Sequence, residues 1–159
     1  MTTQHSGHEF LGVDPGATGA AVSVGPLAQT IRFSELTDAE LWWAINVLAQ
    51  NCKSEGVPLT AILEKTSIRP PTSASRGGVM MAQYGLCRGF LIAAGIRTIE
   101  VTPAVWTRKM GRTDPKKTPY TQKKQRNQQL AETLYPNRKI IRETADAFLL
   151  AEYGRRFHQ

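Results

Sequence analysis

Cysteine is scarce in this chain, acids are outnumbered by bases, and long apolar runs are missing. Cys52 and Cys87 are the two cysteines. They lack Cys-x-x-Cys spacing, which excludes a disulfide framework or a paired-thiolate motif. Both fall within helical patterns and are expected as buried, reduced thiols, in keeping with a cytoplasmic protein. No apolar run approaches the roughly 18 residues of a membrane span, so no membrane partner is expected. Met1 to Glu9 is polar and lacks the apolar core of a signal peptide. The expectation is a disordered tail over residues 1–9 and a single domain over 10–157. Internal repeats are absent.

The shortage of acid has a consequence. Thirteen acidic side chains face 20 basic ones among 159 residues, leaving a net charge of +7 and an isoelectric point near 9.7. Such a balance favours a polyanionic partner, nucleic acid first. Hydrophobic residues make up 41%, enough for a globular core.

Where the few acids fall is informative. Phe10 to Val13 is a buried-type strand that stops at Asp14, where Pro15-Gly16 breaks it. Gly19-Ala20-Ala21-Val22-Ser23-Val24 reads as the second arm of a hairpin. A carboxylate at the end of a central strand needs a partner, and a divalent cation is one; Asp-Pro-Gly is also ordinary turn chemistry. Thr30 to Ser34 predicts a third, antiparallel strand. Thr37 and Glu40 have capping-box spacing, with Leu36 and Leu41 as a staple. The helix they open carries an apolar stripe of Leu41, Trp42, Ile45, Leu48, Ala49 and Cys52. Trp42 and Trp43 read as packing residues. Leu59 to Glu64 is apolar almost throughout, as in a strand covered on both faces, and it too stops at an acid. A helical crossover makes the two acid-ended strands parallel and brings Asp14 and Glu64 to one sheet edge, where open α/β sheets place their sites.

Ser67 to Gly78 reads as a loop in which Arg69 and Arg76 can meet phosphates. Val79 to Ala94 reads as a helix with two apolar sides, one bearing Met80, Tyr84, Cys87 and Leu91, the other Val79, Leu86, Phe90 and Ala93. One side fits the sheet and the other a second subunit, so a homodimer is expected. Arg97 to Val101 is the fifth strand. Between Arg108 and Arg126, eight bases oppose only Asp114. A charge run can be a mere solvated face; this one is so one-sided that phosphate contact is the better reading, with Arg108, Lys109, Arg112, Lys116, Lys117 and Lys123 as candidates. Thr121 to Tyr135 is helical, and a last helix spans Arg142 to Phe157. Glu143 and Asp146 share one side of its first turn. Acids favour helix N-termini, which explains Glu143. Asp146, among Ala145, Ala147 and Phe148, belongs to an inward-packing stretch.

Asp14, Glu64, Glu143 and Asp146 therefore form the candidate cluster. Carboxylates gathered together repel and protonate unless cations hold them. Four can hold two Mg²⁺ ions about 3.5–4 Å apart, one activating water and the other stabilising the leaving oxygen of a phosphodiester. In a basic, dimeric protein this points to a metal-dependent nuclease.

At this point the chain resembles a known family. Gly12-Val13-Asp14-Pro15-Gly16, Ile62-Leu63-Glu64-Lys65, Val101-Thr102-Pro103 before Trp106, and Glu143-Thr144-Ala145-Asp146-Ala147 look like the RuvC Holliday-junction resolvases, the short phage-type members above all. The likeness runs from about Phe10 to Arg155. It implies an α/β, ribonuclease H-like fold with a five-stranded mixed sheet flanked by helices. It further implies a homodimer and Mg²⁺-dependent symmetric nicking of four-way DNA junctions, with Mn²⁺ able to substitute. Asp14, Glu64, Glu143 and Asp146 become the metal-binding acids, and Lys124, rather than Lys123, the base near the scissile phosphate. The chain departs from the family pattern in carrying Glu143 where Asp is usual. It also has Thr66-Ser67-Ile68-Arg69 in the loop where the family often places an aromatic residue, leaving Ile68 as the one apolar side chain there.

Three rivals remain. Sugar kinases and actin-like ATPases begin with a similar loop but need a second lobe, for which the chain has no room, so no nucleotide cofactor is expected. A nuclease of the same fold can act on RNA–DNA hybrids or other branched DNA. A junction-binding protein without catalysis is the third, and the presence of all four acids argues against it.

Overall fold

The structure is a computed structural model that describes residues 7–16, 18–68 and 72–159. Five strands lie in the order β3-β2-β1-β4-β5: β1 Glu9–Asp14, β2 Ala20–Val24, β3 Thr30–Arg32, β4 Leu59–Glu64 and β5 Arg97–Val101. The first three form an antiparallel meander, and β4 and β5 run parallel to β1. The helices are α1 Asp38–Ser54, α2 Ala74–Ala93, α3 Pro103–Lys109, α4 Tyr120–Leu134 and α5 Arg142–Phe157.

Strand pleating sorts the core into two layers. Phe10 and Ile62 face one way, toward α3, α4 and α5. Leu11, Val13, Ala61 and Leu63 face the other, toward α1 and α2. β1 and β4 are therefore covered on both sides, which is why they read as continuous apolar runs. Thr37 makes the expected capping box with Glu40 at the start of α1. Glu9, one residue ahead of the predicted strand, belongs to β1 and is fully buried; its carboxylate accepts the N–H groups of Leu27 and Ala28 at 2.8 and 3.0 Å.

α5 is the helix that places the site. It is buried continuously from Thr144 to Gly154 and lies directly on β1. A Cβ added to Gly12 would stand 2.0 Å from the Ala147 carbonyl oxygen and 2.4 Å from the Ala151 nitrogen. Only glycine permits that approach.

Three further expectations are corrected. The third strand, expected to reach Ser34, ends at Arg32, where Phe33–Glu35 forms a single 3-10 turn. The helix predicted from Val79 begins at Ala74, where the Ser73 hydroxyl accepts the Arg76 N–H. The two glycines that resembled a loop lie inside it, and Gly77 is buried beneath Ile68. Packing at Gly77 thus helps to offset a helix-propensity cost of about 1 kcal/mol per glycine. Trp43 is not a packing residue: it is 65% exposed, while Trp42 sits against Phe90 with ring centroids 5.7 Å apart.

Candidate active site

The parallel register pairs Val13 with Leu63, so Asp14 and Glu64 leave the sheet side by side at one edge. α5 starts above that edge and brings Asp146 to it from its first turn. These residues line an open cleft of about 1450 Å³, together with Glu143, Lys123, Lys124, Arg76 and Arg112.

Burial and mutual repulsion govern the acids. Burial pushes the Glu64 carboxyl up to about 8, the neighbouring Asp14 and Asp146 charges add to the rise, and a hydrogen bond from Trp106 resists it. Burial likewise lifts Asp14 to about 6, with Lys124 opposing and Asp146 adding. The Lys124 ammonium donates a short hydrogen bond to Asp146 and lies 3.7 Å from Asp14 Oδ2. Burial disfavours its charge, yet the two carboxylates outweigh that and hold the ammonium above its ordinary range. Lys124 is thus a cation placed where acids would otherwise repel.

Glu143 lines the same cleft, but its Oε2 accepts from Arg32 at 2.9 Å. Among the described residues, no group of three or more acids, histidines or cysteines is drawn close enough to hold a metal together. Asp14, Glu64 and Asp146 nevertheless form an all-oxygen donor set of the kind that suits Mg²⁺ or Mn²⁺. The ammonium between two of them shows that the spot accepts positive charge. The residues fit a hard divalent cation in chemistry, and Glu143 is the acid of the cleft whose carboxylate is already engaged by an arginine.

Three partners carry no mark as site residues in a reading of the sequence. Trp106, fully buried, donates its indole N–H to Glu64 Oε2 at 2.7 Å. The signal was available, because a buried indole N–H needs an acceptor. Asn127 donates to Asp146 Oδ1 at 2.6 Å. It lies one helical turn beyond Lys124, so the two share a face of α4; that spacing separates Lys124 from Lys123. Arg32 lies far from Glu143 in the chain, and nothing local couples them.

The candidate phosphate contacts divide. Arg76, Arg112 and Lys123 line the cleft, whereas Arg108, Lys116 and Lys117 are exposed outside its lining. Arg112 is not a free cation: it pairs with Asp114 and donates to the Lys123 carbonyl at 3.0 Å, while Asp114 also accepts from Arg126 at 2.7 Å. Its fork ties the basic loop to α4. Lys109 is displaced altogether. Its ammonium lies 4.9 Å from the Phe157 ring centroid, at the far end of α5, roughly 16 Å along the helix from Asp146. Arg69 lies outside the described residues.

A five-stranded mixed sheet with helices on both faces and carboxylates at the ends of adjacent parallel strands defines an α/β, ribonuclease H-like fold. The chain shares that fold with RuvC of Thermus thermophilus. One RuvC structure matches with 14% identity, 93% of this chain, 95% of that one and a TM-score of 0.53. A second, of RuvC in complex with a Holliday junction substrate, matches with 12% identity, 95% of this chain, 96% of that one and a TM-score of 0.59. No protein-family model and no curated sequence matches the chain.

Proposed function

We propose that this protein is a divalent-metal-dependent endonuclease that resolves four-way DNA junctions by paired nicks. The observation that carries the reading is the trio of Asp14, Glu64 and Asp146 at one sheet edge, in a cleft lined by Arg76, Lys123 and Lys124. The fold shared with RuvC, including its junction complex, supports it.

Asp14, Glu64 and Asp146 hold Mg²⁺, and Trp106 and Asn127 fix the orientation of Glu64 and Asp146. Bound divalent ions supply an activated water and charge stabilisation at a phosphodiester. Lys124 faces the scissile phosphate once it exchanges a carboxylate partner for DNA, and Arg76 and Lys123 bind the flanking backbone. Paired nicking needs two sites. α2 covers α1 and β5 with one side, and Phe90, expected on the dimer side, meets Trp42 of α1 instead; Met81 and Ile92 lie exposed on a stripe with Gly78, Gly85 and Gly89, which have open space beside them. This face forms the interface of a homodimer.

Incubating the purified protein with a labelled four-way junction, linear duplex, a replication fork and an RNA–DNA hybrid, with Mg²⁺, Mn²⁺ or EDTA, tests the proposal. Symmetric nicks in the junction that need the metal are expected. Preferential cutting of the hybrid or fork overturns the substrate assignment, and junction binding without any cutting overturns the nuclease assignment.

A further inference from the structure

The fourth acid of the cleft is held by an arginine from the edge strand β3. Asp14 pairs with Ala20, and Ala20 pairs with Arg32, so these three residues form one cross-strand row. Residues opposite one another in such a row project to the same face. Ala20 belongs to the core layer beneath α5; Arg32 therefore projects toward the start of α5, two strands or roughly 10 Å from Asp14. There its Nη2 meets Glu143 Oε2 at 2.9 Å, and its Nη1 meets Glu35. Both partners are only partly exposed, with Arg32 at 33% and Glu143 at 35% of the side chain. The hydrogen bond to Glu143 is the foremost influence raising the guanidinium above its ordinary range.

Glu143 and Asp146 stand three residues apart on one helix face, a spacing that would let both carboxylates turn into the cleft. Asp146 does so and takes Lys124 and Asn127. Glu143 lines the cleft as well, but its Oε2 is taken by Arg32, which is not among the lining residues. We infer that Arg32 is a positioning residue that withholds Glu143 from the acid cluster, so that the resting site offers a cation three carboxylates and gains the fourth only when the Arg32–Glu143 pair opens. The longer reach of Glu compared with Asp makes the pair possible. The inference rests on the metal-dependent reading above and adds to it a control on cation affinity.

The test is a double-mutant cycle on Mn²⁺ binding to the DNA-free protein, followed by calorimetry and by the Mn²⁺ paramagnetic resonance signal. The variants are Arg32→Gln, Glu143→Gln and the pair together, each checked for folding by thermal melting. Arg32→Gln should tighten Mn²⁺ binding about tenfold, equivalent to about 1.4 kcal/mol, because Glu143 is freed. In the Glu143→Gln background the same change should give little or no gain. An equal gain in both backgrounds overturns the inference, since it would reflect only the loss of one positive charge. Unchanged or weaker binding by Arg32→Gln also overturns it. Should Arg32→Gln fail to fold, Arg32→Lys is read instead: it keeps the charge but not the fork geometry, and an affinity identical to wild type overturns the inference. If the wild-type protein takes no Mn²⁺ with or without junction DNA, the metal reading fails and this inference with it.

Discussion

Glu64 is a half-buried acid at the cleft and Glu152 a fully buried one on α5; burial raises both carboxyls, yet they end on opposite sides of the ordinary value. Glu152 is 1% exposed, in the second half of α5, and accepts from Tyr135, from Arg155 at 2.7 Å through both Nε and Nη2, and from Arg156 at 2.6 Å. Burial alone would raise its carboxyl, but these donors overcome it and hold the group near 2. Glu64 has the Trp106 indole as its donor and two other acids as neighbours, and it rises to about 8. Burial sets the stakes for a charge; the supply of donors decides the sign. A fully satisfied acid such as Glu152 fastens α4 to α5. An acid left short of positive charge at a cleft is ready to take a cation.

The largest test of this contrast exchanges charge for shape at each site. Asp14→Asn, Glu64→Gln and Asp146→Asn should each lower metal-dependent junction cleavage more than about a hundredfold while the junction is still bound, because a ligand of the metal site is lost. Glu152→Gln should show the reverse: cleavage persists at a temperature where the protein is folded, and stability falls by about 1.5 kcal/mol, since Tyr135 and two half-exposed arginines lose a charged acceptor. Cleavage assays beside denaturant melts separate the two profiles. A folded Asp14→Asn or Asp146→Asn protein that cuts at near wild-type rate breaks the comparison.

A smaller effect lies in the pH dependence of stability without divalent cations. Glu64 and Asp14 have raised values in the folded state, so the folded protein binds more protons than the unfolded chain once pH passes about 4. Their contribution to stability is therefore lost as pH rises from about 4 to about 8. Glu64→Gln, which keeps an acceptor for Trp106, should stabilise the protein by roughly 1–3 kcal/mol at pH 8 in EDTA, and by nothing measurable at pH 4. Glu152 runs the other way: its contribution is present above about 4.5 and fades as pH falls toward 2. Melting curves across that range give both slopes, and a pH-independent effect of Glu64→Gln would show that the acids do not strain the fold.

The smallest expected change concerns the cations. Replacing Lys116, Lys117 and Lys123 with Ala should flatten the salt dependence of junction binding, by about 0.9 in slope for each duplex phosphate that is no longer neutralised. Lys109→Ala should leave the slope unaltered, because Lys109 lies at the far end of α5. A change at Lys109 equal to that at Lys123 would mean that the DNA path does not follow the cleft.

Much of the architecture was legible from local rules. Capping by Thr37 and Glu40, the apolar runs ending at Asp14 and Glu64, and the span Arg142–Phe157 need only neighbouring residues, and the structure reproduces them. The start of α2 was not legible, because Gly77 and Gly78 resemble a loop until Ile68 is seen packing on Gly77. Asp114 read only as the lone acid within the basic run, yet it joins Arg112 to Arg126.

By itself the sequence determined the order of strands and helices along the chain and the edge at which Asp14 and Glu64 emerge, since buried patterning and one crossover make those two strands parallel. Only the tertiary structure decided which partner each acid has. Trp106 takes Glu64, Lys124 and Asn127 take Asp146, and Arg32 takes Glu143. Those choices depend on the β2–β3 register and on the depth to which α5 sinks over Gly12. Both are set by packing between segments far apart in the chain, where no local spacing carries the information.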